Sequence, residues 1–302
     1  MSIQAKVKHY LNGPISSVST PFDREGNIDY KALRNIVEFI VASNSGTILL
    51  TYGDSLYSIL TDSEIAEVTR VVVEQNAGRK MVVAAGNWWT GESVRFAEYC
   101  KGIGADVYMP LPPHWAGSCT VPTLVEHFTR VGQVMPVMAV TALAPGVSLP
   151  LAAVERLLEN KRSGIVAVKD DICGVYGRRL AALVAGHWTF LSGGRKENHL
   201  DVLPYGADAY LSIYSRFRPD IAHRYWAAVQ AGDLTEAVSI ITTYDIPYMD
   251  FVAKLGVDFD SVTHGAMELF GVAERWRRLP YHSLTDEQLG KLREFFEGLD
   301  LL

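Results

Sequence analysis

Gly164-Ile165-Val166-Ala167-Val168-Lys169-Asp170-Asp171 decides how the rest of this chain reads. A run this short, β-branched and bounded by polar residues is a strand buried on both faces, as in a parallel sheet covered by helices. Its last residue then stands at a rim facing a cavity, and that residue is Lys169. Withdrawing a lysine from water disfavours its charged form and lowers its pKa, which turns an inert cation into an amine able to condense with a carbonyl. A lysine at a strand end can equally snorkel to solvent beside Asp170. The run alone leaves both readings open.

Working outward, similar apolar runs stand at 15–19, 47–51, 81–85, 106–109, 136–141, 189–192 and 209–213, which with 165–169 makes eight strands. Between them lie stretches with helical periodicity at 30–42, 62–76, 92–103, 123–131, 151–160 and 177–185. Eight strand–helix units fit a closed (β/α)₈ TIM barrel, an α/β fold, better than an open doubly wound sheet, which needs fewer strands or a second domain. The barrel spans residues 1–215. From 216 to 302 the pattern is helical only, through 221–230, 234–251, 262–270 and 286–301, with a helix-start signal in Ser283-Leu284-Thr285-Asp286. This is a C-terminal helical extension packed on the barrel.

Composition narrows the function. The 302 residues are 48% hydrophobic and carry a formal net charge of −6, with lysine and arginine scattered, so no basic footprint points to nucleic acid. No apolar run reaches the length needed to span a bilayer, and the first residues lack the apolar core of a secretion signal. The sequence therefore reads as a cytoplasmic protein acting on a small molecule. Cys100, Cys119 and Cys173 are odd in number and spaced neither as a disulfide framework nor as a zinc site. They read as ordinary thiols, with Cys173 close enough to Lys169 to reach a pocket.

Chemistry in such barrels sits at the C-terminal ends of the strands, where eight loops converge. That rule nominates Lys169, Thr51 to Ser55, 110–115, 140–142, Ser192 to Arg195 and 211–214.

These segments carry a pattern. Gly13-Pro14-Ile15-Ser16-Ser17-Val18-Ser19-Thr20-Pro21-Phe22, followed by Gly26-Asn27-Ile28-Asp29, resembles the opening of the dihydrodipicolinate synthase / N-acetylneuraminate lyase family. In the same order as in that family follow Leu60-Thr61-Asp62-Ser63-Glu64, Gly104-Ala105-Asp106, the run ending in Lys169-Asp170, Ser192-Gly193, Gly206-Ala207-Asp208 and Arg278-Leu279-Pro280 leading into Leu284-Thr285. The resemblance covers nearly the whole chain. It implies a Schiff-base-forming aldolase, lyase or dehydratase acting on a pyruvate-like 2-oxo acid or a 2-oxo-3-deoxy sugar acid, with Lys169 attacking the ketone. It also implies no metal, no dissociable cofactor, and a homotetramer or homodimer.

The chain departs from the family at several points. The fifth strand should end in a proton-relaying tyrosine, where this sequence has Val140 followed by Thr141 and Ala142; Ala144-Pro145-Gly146 occupies the stretch where a substrate-selecting arginine is common. These losses argue against the family's usual reactions and favour a sugar-acid dehydratase or an atypical aldolase. The carboxylate-binding loop appears as Thr51-Tyr52-Gly53-Asp54-Ser55, whose oriented N–H groups can hold a carboxylate whatever the side chains. Tyr52 is the first candidate proton carrier, with Thr141 and a bound water next; a packed aromatic is the alternative for Tyr52. In 110–115, His114 or Trp115 replaces a tyrosine that reaches a neighbouring subunit. Trp115 has no titratable proton, and His114 in a proline-rich loop is more simply a solvated side chain. Trp88 and Trp89 could narrow the pocket or pack between helices. Arg195 could clamp a carboxylate or pair with Asp170, Asp171 or Glu197, while Ser192, Gly193 and Leu211 complete the predicted substrate contacts.

Two further readings remain. One is a barrel that binds a small carboxylate metabolite without turnover. The other, a phosphate-binding isomerase nesting phosphate on 192–195, lacks the second glycine cluster expected after the eighth strand.

Overall fold

The computed structural model describes residues 2–111 and 116–302. The eight expected strands close into a parallel barrel: β1 (Gly13–Ser17), β2 (Thr47–Leu49), β3 (Met81–Asn87), β4 (Val107–Leu111), β5 (Val137–Val140), β8 (Ile165–Asp170), β9 (Thr189–Ser192) and β10 (Ala209–Leu211). They run round the barrel in the order β1-β10-β9-β8-β5-β4-β3-β2. After β5, a short antiparallel pair that the sequence did not signal, β6 (Ala142–Ala144) and β7 (Val147–Ser148), forms a hairpin at the barrel mouth. The fold is a (β/α)₈ TIM barrel with a C-terminal helical region.

Helices cover the barrel because their apolar faces recur at helical spacing. In Tyr30–Ala42, Leu33, Ile36, Val37 and Ile40 are buried, each contributing about 1.5–3 kcal/mol over an exposed position. Asp29 caps this helix by accepting from the N–H groups of Lys31 and Ala32. Thr61 and Glu64 form a capping box on Asp62–Asn76, and Thr285 and Gln288 form another on Asp286–Glu297. An N-terminal helix, Ile3–Tyr10, packs against β8 and β9. It closes the barrel's lower end through Lys6 on Asp106 at 2.6 Å and the Thr47 hydroxyl on the carbonyl of Tyr10 at 2.9 Å.

The sequence expected one helix over 234–251, and the structure keeps it continuous but winds one wide turn into it. Leu234–Ile240 and Ile246–Leu255 are joined by a wide π-turn, Ile241–Asp245. Pro247 causes this, since it has no N–H to give the carbonyl of Thr243 and its ring crowds that turn. The turn brings Asp245, Tyr248 and Met249 to the barrel mouth.

Candidate active site

A cavity of about 520 Å³ opens at the C-terminal ends of the strands. Lys169, next to last in β8, lies inside it, with its side chain 8% exposed. In register, Lys169 lies beside Val140 on β5 and Leu191 on β9. Val140 offers it no hydrogen-bonding group.

Strand alternation sorts the mouth residues. Successive side chains face opposite sides of a strand, so residues two apart share a side. Lys169 and Asp171 both line the cavity, as do Val140 and Ala142, and Met109 and Leu111. Asp170 and Thr141, between them, do not. Asp170 is buried and accepts from the Thr141 hydroxyl at 2.9 Å and from the N–H groups of Ile172 and Cys173 at 3.0 and 3.2 Å. Burial raises its carboxyl above the usual range against those hydrogen bonds.

The Lys169 ammonium has a carboxylate partner in the cavity. It donates to both carboxylate oxygens of Asp171, at 2.5 Å for Oδ1. The backbone N–H of Asp171 in turn donates to the Thr141 hydroxyl at 2.9 Å. The sequence reading left Asp171 out of the site, although its place two residues after Lys169 was the available signal.

Of the other nominated residues, the cavity gathers Thr51, Tyr52, Gly53, Asp54, Arg195 and Leu211. Ser55, Thr141, Ser192 and Gly193 lie outside its lining. The Ser55 hydroxyl donates to the Val18 carbonyl at 2.7 Å and accepts from the Thr51 N–H at 3.1 Å, which ties the loop to β1. Ser192 is buried in the β9 ladder. Gly193 donates its N–H to the Asp170 carbonyl at 2.7 Å and lies under Asp171. Cys173 is half-buried and also outside the lining; burial pushes its thiol up to about 12. His114 and Trp115 lie outside the described residues.

The tryptophan pair after β3 is placed away from the cavity. Trp88 donates its indole N–H to Asp62 at 2.9 Å and packs on Phe96, while Trp89 is 60% exposed beside Arg95. Arg195 stands exposed at the rim and forms no ion pair among the described residues, so Asp170, Asp171 and Glu197 do not hold it.

Two further ion pairs border the cavity. Arg216, 7% exposed in the turn after β10, holds Asp54 at 3.0 Å. Burial alone would raise the Asp54 carboxyl, but Arg216, the Ser17 hydroxyl and Lys169 together hold it below its ordinary range. Asp245 accepts from Lys196 at 2.7 and 2.8 Å in a pair almost without solvent contact. Burial lowers Lys196 and raises Asp245 against their mutual attraction. The strand-end rule named Asp54 but missed its partner and the second pair, because Arg216 lies past the last strand and Asp245 reaches the mouth only through the π-turn. Among the described residues no three or more His, Cys, Asp or Glu side chains group as a metal site, and no helix is long and apolar enough to cross a membrane.

The model of the dihydrodipicolinate synthetase family matches residues 10–298. The 4-hydroxy-tetrahydrodipicolinate synthase of Aquifex aeolicus is 27% identical over 299 residues, covering 96% of this chain and 98% of its own. The synthase of Acidiphilium cryptum is 25% identical, covering 97% and 99%. Among solved structures, N-acetylneuraminate lyase from Fusobacterium nucleatum superposes with a TM-score of 0.85 at 16% identity, covering 96% of this chain and 99% of that one, a likeness of fold.

Proposed function

The chain belongs to the dihydrodipicolinate synthetase family, whose enzymes are lyases of the Schiff-base, class I aldolase type, and on that premise we propose that Lys169 condenses with a pyruvate-like 2-oxo acid or a 2-oxo-3-deoxy sugar acid. The observation that carries this reading is the Lys169 amine itself, buried at the end of a barrel strand inside the mouth cavity. The iminium formed there acts as an electron sink for making or breaking the bond β to it, by aldol cleavage or by loss of water.

The substrate carboxylate sits on the loop after β2. The N–H groups of Gly53 and Asp54 donate to no acceptor among the described residues, which leaves both for an anion. Arg195, at the rim and outside any ion pair, takes a second carboxylate or a distal anionic group. Tyr52, half-buried in the same lining, carries the proton to and from the reacting carbon. The assembly is a homotetramer or homodimer, the site needs no metal, and the enzyme works in the cytoplasm.

A second reading rests on the same geometry. Both oxygens of Asp171 engage the Lys169 nitrogen, and with that nitrogen held there the barrel binds a carboxylate without turnover. Borohydride reduction in the presence of pyruvate, followed by peptide mass analysis, separates the two. A reduced pyruvyl adduct on Lys169 is the expected result; an unmodified Lys169 with every 2-oxo acid tried overturns the lyase reading in favour of the binding barrel.

A further inference from the structure

Resting on the Schiff-base reading above, we propose that Asp171 is the catalytic acid and base of the condensation at Lys169. Three carboxylates line the cavity among the described residues, Asp54, Asp171 and Asp245. Arg216 holds the first and Lys196 the last. Only Asp171 is hydrogen-bonded to the reacting nitrogen, and its side chain is 32% exposed toward the cavity. The neighbour in register, Val140, has no proton to give, and the Thr141 hydroxyl is already committed to Asp170 and to the Asp171 N–H.

The site is built to keep that carboxylate in place. A β-carbon at residue 193 would stand 1.9 Å from Oδ1 of Asp171, so glycine is what admits it. The Thr141 hydroxyl fixes the backbone of Asp171 from the other side. The carboxylate therefore needs no rotation to reach Nζ.

The proton inventory closes without an outside reagent. The Asp171 carboxylate takes one proton from the Lys169 ammonium, and the amine lone pair forms the carbon–nitrogen bond as the carbonyl electrons move to oxygen. A second proton passes from nitrogen to that oxygen, giving the carbinolamine. Asp171, now a carboxylic acid, returns its proton to the hydroxyl, the carbon–oxygen bond breaks, and water leaves as the nitrogen lone pair forms the iminium. An ammonium and a ketone have become an iminium and water, and Asp171 is again a carboxylate.

The test is the rate of pyruvate adduct formation, stopped by borohydride, in the full chain. Asp171→Asn keeps the size of the side chain and loses its basicity, and its trapping rate should fall about a hundredfold or more. Asp171→Ala opens a gap at the same point, and added formate should speed its trapping while leaving the unmodified enzyme unchanged. A purely structural role would not respond to formate. Trapping by Asp171→Asn at the unmodified rate overturns the assignment and leaves Lys169 as the Schiff-base residue. An Asp171→Ala protein with native circular dichroism and no response to formate also overturns it. Absence of any adduct on the unmodified protein overturns the Schiff-base reading and this assignment with it.

Discussion

Asp171 occupies the space that a side chain at Gly193 would fill, so the segments that follow β8 and β9 fit only as a pair. Gly193→Ala meets both the Asp171 carboxylate and, at 2.7 Å, the backbone carbonyl of Asp170, so it should displace the carboxylate from Lys169 and shift the end of β8 with it. The pyruvate trapping rate is expected to fall about tenfold, as one step of acid–base assistance is lost in part. Trapping at the unmodified rate would show that the carboxylate needs no such room.

Lys169→Arg keeps a cation against Asp171 but removes the amine proposed to condense with the ketone. No borohydride adduct with pyruvate should form and lyase turnover should vanish, while the thermal midpoint stays within a few degrees of the parent. An adduct in this variant would move the nucleophile to another lysine.

Tyr52→Phe separates the two proton transfers assigned to this site. Turnover should drop about a hundredfold, the scale of losing a positioned proton carrier. The rate of adduct formation with pyruvate should not change, because that step runs through Asp171. Equal loss in both assays would assign Tyr52 to the condensation instead.

Removing Asp245 leaves the Lys196 ammonium buried among Tyr214 and Tyr225 without its counter-charge. Asp245→Leu should cost about 3–5 kcal/mol in urea unfolding, and Lys196→Met in the same chain should recover most of it. A single variant as stable as the parent would show that water reaches the ammonium.

Acid should weaken the fold partly through His264. Its imidazole is buried in Phe259–Leu269, and burial, with Arg277 and Arg216 adding to it, lowers it to about 3. Because the folded value lies below the unfolded one, the folded state binds fewer protons in between. The stabilisation is complete above the ordinary imidazole value and is lost as pH falls toward 3. Between pH 7 and pH 5 the parent should lose about 2 kcal/mol more than His264→Gln. Identical pH dependence in urea titrations would mean that His264 is wetter than its packing indicates.

The barrel was legible because burial on both faces writes strands as apolar runs, and helical stripes such as Leu33, Ile36, Val37 and Ile40 separate them. The N-terminal helix Ile3–Tyr10 was not, since it buries only Val7 and shows almost no stripe. Lys169 was legible as a charge at the end of an apolar run. The hydroxyls of Ser55, Thr141 and Ser192 were misplaced into the cavity because nearness to a strand end says nothing of which way a side chain faces. Counting in twos from Lys169 would have excluded Thr141, in step with Asp170, and found Asp171. Arg216 and Asp245 needed tertiary structure, apart from the warning that Pro247 gives inside a helical pattern.

The π-turn before Pro247 adds a residue to a helix otherwise wound at about 100° per residue, so the two halves are out of phase by roughly that angle. The first half packs on the helix Pro219–Gln230 and the second on Phe259–Leu269. One continuous rod thereby serves two neighbours that a regular helix would have to choose between. Straightening it would swing Asp245 away from Lys196, so the cavity wall and the helical bundle behind it are set by the same added residue.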